Sequence, residues 1–189
     1  MHKVNVVGTS GSGKSTFSAQ LASALDCEHI EMDRLFWKPD WQESPDLEFF
    51  AKIRNALQGS SWVLDGNYNR TRKVKWENVD TVVWVDYSLP RTLYQAVSRA
   101  IQRCITGKEL WPGTGNRETF AKSFFSRDSI ILWTVKTYHK NQQRYLADMN
   151  HPDYQHIRFV RLRSPKQAQQ LLESLRNEHS VDSLSLLDI

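Results

Sequence analysis

Residues 8–16 read Gly8-Thr9-Ser10-Gly11-Ser12-Gly13-Lys14-Ser15-Thr16, and 8–15 match Gly-x4-Gly-Lys-Ser/Thr at every fixed position. Glycines at 8, 11 and 13 let the backbone curl until successive N–H groups converge on phosphate oxygens. Lys14 can reach the β- and γ-phosphates of a nucleoside triphosphate, and the Ser15 hydroxyl can ligate Mg²⁺. A helix starting at this point adds its N-terminal dipole to the same anion site. A Gly/Ser-rich turn would account for the composition. It would not account for the flanks, a β-branched run over 3–7 and apolar residues at Phe17, Leu21, Ala24 and Leu25 on one helical face.

Outward from this loop, strand-like and helix-like patterns alternate. Short apolar runs over 28–32, 62–64, 81–85 and 156–162 read as four further strands, each ending near an acid or a turn. Helical periodicity is expected over 46–57, from Pro90 to about 104, and from about 118 to 149 with a break near 127–128. Ser164-Pro165-Lys166-Gln167 is a capping box with proline at the first helical position. Residues 106–116, rich in glycine and proline, read as a mobile excursion. Residues 177–189 form an acidic, serine-rich tail expected to be loosely ordered. Five strands alternating with helices predict a parallel, doubly wound α/β sheet with ligands bound beyond the carboxyl ends of its strands.

The chain has 189 residues, 40% hydrophobic and 24% charged, which suits one compact domain with a real core. No apolar run reaches a membrane span, and Met1-His2-Lys3 leads into a β-like run, not a secretory h-region. Cys27 and Cys104 lie far apart and read as buried free thiols. A cytoplasmic protein is expected. No histidine has metal-ligand spacing. Residues 91–145 carry ten Lys and Arg against three acids, a local +7, while the remainder carries −3. Such a stretch marks where phosphates go, whether of a nucleotide or of a nucleic acid.

A P-loop needs a second acid for Mg²⁺ at the end of an apolar strand. Trp62-Val63-Leu64-Asp65 and Val82-Val83-Trp84-Val85-Asp86 both qualify, and periodicity leaves the choice open. Asp33 could take a proton from an acceptor hydroxyl or cap the helix that follows it. Trp37, Trp41, Tyr68 and Trp76 could stack a planar or sugar-like acceptor or complete a small core. Arg99, Arg103, Arg117, Arg127 and Arg144 could close over a transferring phosphoryl group or form a solvated face.

Asp65-Gly66 after an apolar strand, with Arg99-x-x-x-Arg103 before the excursion, resembles adenylate kinases and related nucleoside monophosphate kinases. The set Gly8–Thr16, Met-Asp-Arg-Leu-Phe-Trp at 32–37, Trp-Val-Leu-Asp-Gly-Asn-Tyr at 62–68, Lys-Glu-Leu-Trp-Pro-Gly at 108–113 and Arg-Asp-Ser-Ile-Ile-Leu-Trp at 127–133 is more particular. It resembles small adenylate-kinase-like P-loop proteins labelled DNA topology modulation proteins, over roughly residues 3–175. The resemblance implies a P-loop kinase fold with sheet order 2-3-1-4-5 and a helical lid. One domain would cover 1–176, with an acceptor-side segment at 33–75 and a lid at 103–128. ATP and Mg²⁺ would be the cofactors.

By the same resemblance, Gly8, Gly11, Ser12, Gly13, Lys14, Ser15 and Thr16 bind the nucleotide phosphates, with Ser15 and Asp65 on the metal side. Arg99 covers the adenine, Arg163 lines the base, and Arg103 and Arg127 assist Lys14 in catalysis. Asp33, Asn67, Tyr68 and Arg70 face the acceptor. Adenylate kinases follow Asp-Gly with Phe-Pro-Arg; here Asn67-Tyr68-Asn69-Arg70 sets the arginine one place later, without the proline. In the implied sheet order the strand of Asp65 is taken as nearer to the P-loop than that of Asp86. The expected function is ATP-dependent phosphoryl transfer to a small-molecule acceptor. The alternative is a nucleic-acid-linked ATPase or ATP-sensing module that uses the basic stretch as a phosphate track.

Overall fold

The computed structural model describes residues 1–120 and 129–185, with residues 130–131 and 178–185 as backbone only. Five strands, β1 (Lys3–Gly8), β2 (Glu28–Glu31), β3 (Trp62–Asp65), β4 (Thr81–Val85) and β5 (Arg158–Leu162), form one sheet in the order β2-β3-β1-β4-β5. Every neighbouring pair is parallel. Parallel neighbours need crossovers, and the helices supply them. These are α1 (Lys14–Ala24), α2 (Met32–Phe36), α3 (Asp46–Ala56), α4 (Arg72–Lys75), α5 (Leu89–Thr106), α6 (Ile130–Met149) and α7 (Pro165–Ser185). This is a doubly wound parallel sheet in the strand order that the resemblance implies.

Alternation along the strands divides the core between the two faces. Val4, Val6, Val63, Val83 and Val85 pack against Phe17 and Leu21 of α1 and Ala168 and Leu172 of α7. Val7, Leu64, Val82 and Trp84 face Phe49 and Ile53 of α3 and Tyr145 of α6. On that second face Asn5 is fully buried, which requires partners for its amide. It donates to Leu64 O at 2.9 Å and accepts from Trp76 Nε1 at 2.8 Å, so a polar side chain in the central strand pins β3 and α4.

Several expectations shift in detail. The strand expected over 28–32 stops at Glu31, and a one-turn helix begins at Met32. α5 buries Thr92, Ala96 and Ala100, while Ile101 is exposed. Its inner face abuts the phosphate loop, where only small side chains fit. α7 continues as one helix past Arg176 to Ser185, where the sequence favours a loose tail. It starts as the capping box requires, with Gln167 N–H donating to Ser164 Oγ at 3.3 Å. The expected break near 127–128 lies outside the described residues. No helix among the described residues is long and apolar enough to cross a membrane. Cys27 and Cys104 form no disulfide and are half-buried, and burial pushes the Cys27 thiol pKa up.

Candidate active site

β1 ends at Gly8 and α1 begins at Lys14, so the glycine-rich loop joins a strand end directly to a helix start. Gly11 and Gly13 adopt φ of 84° and 86°, the left-handed region that favours glycine. A Cβ at Gly11 would lie 2.6 Å from the Ala96 Cβ and 2.8 Å from the Thr92 carbonyl oxygen. The loop therefore lies directly on α5. α6 holds it from outside: Thr134 Oγ1 donates to Ser10 O at 3.1 Å and Asn141 Nδ2 to Thr9 Oγ1 at 3.2 Å. The first N–H groups of α1 have no acceptor within the helix and are available to an anion.

The two candidate magnesium acids have different surroundings. Asp65 is 6% exposed, and its Oδ1 lies 3.7 Å from Lys14 Nζ without a hydrogen-bond donor. Asp86 is occupied on both oxygens: Arg161 Nε donates to Oδ2 at 2.8 Å and Gln142 Nε2 to Oδ1 at 3.0 Å. Strand distance does not separate them, contrary to expectation. β3 and β4 both border β1, pairing Val6 with Asp65 and Gly8 with Val85. What separates them is that the end of β5 supplies a cation to Asp86 and the phosphate loop supplies one to Asp65.

Beyond Asp65, Asn67 grips the loop itself. Its Oδ1 accepts from Gly8 N at 3.0 Å and from the Tyr145 hydroxyl at 2.9 Å, and its Nδ2 donates to Gly8 O. This engaged amide braces the start of the P-loop, where the acceptor was expected. Tyr68 donates its hydroxyl to Asp33 Oδ1 at 2.7 Å. Burial, then the Asp33 charge, pushes the Tyr68 pKa far up and keeps that hydroxyl protonated. Arg70 turns away. It pairs with Asp46 at 2.9 Å with its guanidinium 5.0 Å from the Phe36 ring centre.

Of the three arginines expected at the nucleotide, Arg99 is the one that contacts the loop. Arg99 Nη2 donates to Ser10 Oγ at 3.2 Å. It is half-buried, and burial, then Arg103, lowers its pKa, against the pull of Glu118, Asp33 and Asp65. Arg103 pairs with Glu118 at 2.8 Å. Arg163 is exposed. A cleft of about 460 Å³ opens beside the loop, lined by Gly13, Thr16, Tyr87, Arg91, Gln95 and Pro165 among others, but by neither Arg99 nor Arg163. Gln95 Oε1 is buried there without a partner. Sequence reasoning missed these α5 residues, although Arg91 and Gln95, four apart just past β4, share the helix face toward the loop. Arg127 lies outside the described residues.

The excursion packs onto the segment after α2. Trp111 stacks on Trp37 with centroids 6.2 Å apart and meets Trp41 edge-on at 5.8 Å. Asn116, almost fully buried, accepts from Trp41 N at 2.9 Å and donates to Lys38 O at 2.9 Å. Asp40 and Trp41 take positive φ at this contact. Trp76, expected with Trp37 and Trp41, packs instead on Tyr154 and Phe159; Trp111 is the third member.

No protein-family model matches the chain, and no curated protein matches it. Among solved structures it is similar to a gluconokinase from Sinorhizobium meliloti 1021, at 15% sequence identity and a TM-score of 0.49, with 100% of this chain and 98% of that chain covered.

Proposed function

We propose that this chain is a cytoplasmic ATP- and Mg²⁺-dependent phosphotransferase of the nucleotide-kinase type, within the adenylate-kinase-like group that its motifs resemble. The observation that carries the reading is the buried Asp65 Oδ1, without a hydrogen-bond donor and 3.7 Å from the P-loop ammonium of Lys14. An orphaned carboxylate oxygen beside a phosphate loop suits a hydrated divalent cation, held by the Ser15 hydroxyl directly and by Asp65 through water. When bound, such an ion neutralises charge on the β- and γ-phosphates.

The chain's own groups do the positioning. The N–H groups at the start of α1 and the Lys14 ammonium hold the phosphates and offset the charge that migrates during transfer. Arg99, half-buried and anchored on Ser10, adds a second cation. The cleft between Gly13, Gln95 and Pro165 is of the size used for small-molecule sites and takes the base. Asp33 and Tyr68 face the acceptor, and the excursion over the 37–43 segment keeps water from the reacting phosphoryl group. No nucleophilic side chain is needed, because catalysis of this class is positioning and charge stabilisation.

The basic stretch fits this reading better than a nucleic-acid track. Arg99, Arg103 and Arg144 spend their guanidinium groups on Ser10, Glu118 and Tyr145 within the protein. Lys14→Ala tests the proposal: it should stay folded and lose ATP-dependent transfer, since Lys14 supplies charge and little packing. A turnover equal to that of the unaltered protein removes the central claim. Salt-dependent DNA binding with ATP hydrolysis, and no acceptor phosphorylated, selects the nucleic-acid alternative.

A further inference from the structure

We infer that the foot of the sheet carries a second ligand site, which takes a small organic oxyanion with an apolar body. The site lies away from the phosphate loop and stands independently of the phosphotransferase reading. β1 and β3 start side by side here, with Lys3 paired to Trp62, whereas Gly8 and Asp65 close the same strands at the other end. A cavity of about 360 Å³ opens at these strand starts, between the last turn of α3 and the chain that leaves α4. Its volume is that of a small-molecule site.

The wall of this cavity includes two polar side chains that are almost fully buried. Trp62 is 1% exposed, and its indole Nε1–H, the only polar group of that side chain, has no acceptor among the described residues. A buried donor left in this way is costly, and a ligand that supplies the acceptor removes the cost. Lys75 places one of its three donors, on Gly66 O at 3.3 Å, and feels Arg144 and Arg72 against Asp148. Lys3 and the exposed Arg54 add two further cations to the lining, where Glu77 is the one acid. Neither Lys3 nor Arg54 has a side-chain hydrogen bond or ion pair among the described residues. Asp80, the nearest acid in the fold to the start of β1, spends its oxygens on the N–H groups of His2 and Lys3 and on the Thr81 hydroxyl.

The chemistry of the ligand follows from what the wall lacks. Trp62 needs an acceptor, and the cations need negative charge. Leu57 and Val74, on opposite sides of the opening, offer apolar surface to the remainder of the molecule. A carboxylate or a phosphate monoester on a small hydrocarbon frame meets all three conditions. Water accepts from Nε1 but brings no charge to Lys3, Arg54 and Lys75, and an uncharged molecule of the same shape has the same shortcoming. Charge-assisted hydrogen bonds are roughly twice as strong as neutral ones, so the oxyanion is the favoured occupant.

Benzoate and phenyl phosphate serve as probes, with benzyl alcohol as the uncharged control. Each is titrated into the full chain while the indole N–H resonance of Trp62, assigned by triple-resonance NMR, is followed. Either anion should move that resonance downfield and saturably, and the tighter of the two names the headgroup. Benzyl alcohol should leave it in place. The double variant Lys3→Ala/Arg54→Ala, which alters side chains outside the core, should raise the Kd of the anion by about tenfold. The phosphate loop also draws anions, so the titration is repeated in Lys14→Ala, where the Trp62 shift should persist with unchanged Kd. The inference is overturned if neither anion gives a saturable shift at Trp62, if the alcohol saturates it equally well, or if the double variant binds as the unaltered chain does. Loss of the shift in Lys14→Ala overturns it too, since the anion would then act through the phosphate loop. Failure of the phosphotransferase reading would change none of these outcomes.

Discussion

The proposed donor and acceptor halves of this site are built in opposite ways. The donor half is local: nine consecutive residues supply the loop, its lysine and the start of α1, and the neighbouring helices only hold them in place. The acceptor half is assembled from distant pieces. Asp33 and Tyr68 are 35 positions apart, and Asn116 reaches Trp41 and Lys38 across 75 and 78 positions. A local site can be rigid before substrate arrives. A site closed by a single amide and three indoles can open by giving up few contacts, which suits the half that must admit a variable substrate.

The strongest way to break this contrast is at the proposed metal acid. Asp65→Asn should reduce turnover by about 10²–10⁴-fold while metal-free nucleotide binding is nearly retained, measured by kinetics and by titration calorimetry in EDTA. Asp86→Asn should cost less than tenfold in turnover. Its effect should appear in stability, by about 1–3 kcal/mol in a urea titration, because Arg161 loses its charged partner. If Asp86→Asn is the more severe in turnover, the assignment of roles at the ends of β3 and β4 is wrong.

A smaller effect is expected from the closure. Asn116→Ala removes two buried hydrogen bonds, worth about 2 kcal/mol together. Amide exchange over 107–117 should quicken by roughly 30-fold, and the acceptor KM should rise while the ATP KM holds. Equal exchange in both proteins would mean that Trp111 alone holds the contact. An ATP analogue should slow exchange over the same residues in the unaltered protein.

The smallest effect lies beneath the acceptor half. Lys75 is 2% exposed, donates to Gly66 O at 3.3 Å, and has its pKa lowered to about 7 by burial and then by Arg144 and Arg72. An unfolded lysine titrates near 10.4. Between about pH 7 and 10 the unfolded chain thus binds more protons than the folded one, and stability rises with pH across that window. The melting temperature should climb by several degrees from pH 7 to 10. In Lys75→Met that climb should flatten, with the gain greatest at the acid end.

How much was legible follows the same division. The sheet and the phosphate loop were readable because apolar runs and the glycine spacing are local signals. The strand order came from resemblance, since periodicity does not order strands. Periodicity could not tell Asp65 from Asp86, because both end apolar strands that flank β1; the resemblance favoured Asp65, and the physical difference lies in Lys14 on one side and Arg161 and Gln142 on the other. Trp76 was grouped with Trp37 and Trp41 by nearness in sequence, while Trp111 takes that place through a tertiary contact. Arg91 and Gln95 were passed over because a helix face has no sign of what it meets until the neighbouring loop is placed.

Gly66 carries a further consequence, for how this chain can change over evolutionary time. A Cβ there would fall 2.7 Å from that of Met32, and overpacking of this kind costs about 1–3 kcal/mol. Asp65 lies just before the glycine and Asp33 just after the methionine, so one missing methyl group sets the spacing between the two carboxylates. Positions 32 and 66 are therefore tied in their order of substitution. A smaller side chain has to appear at 32 before anything but glycine is tolerated at 66, and the reverse order passes through a damaged intermediate. Lineages that keep both acids should keep this pair together, while the exposed residues around it drift freely.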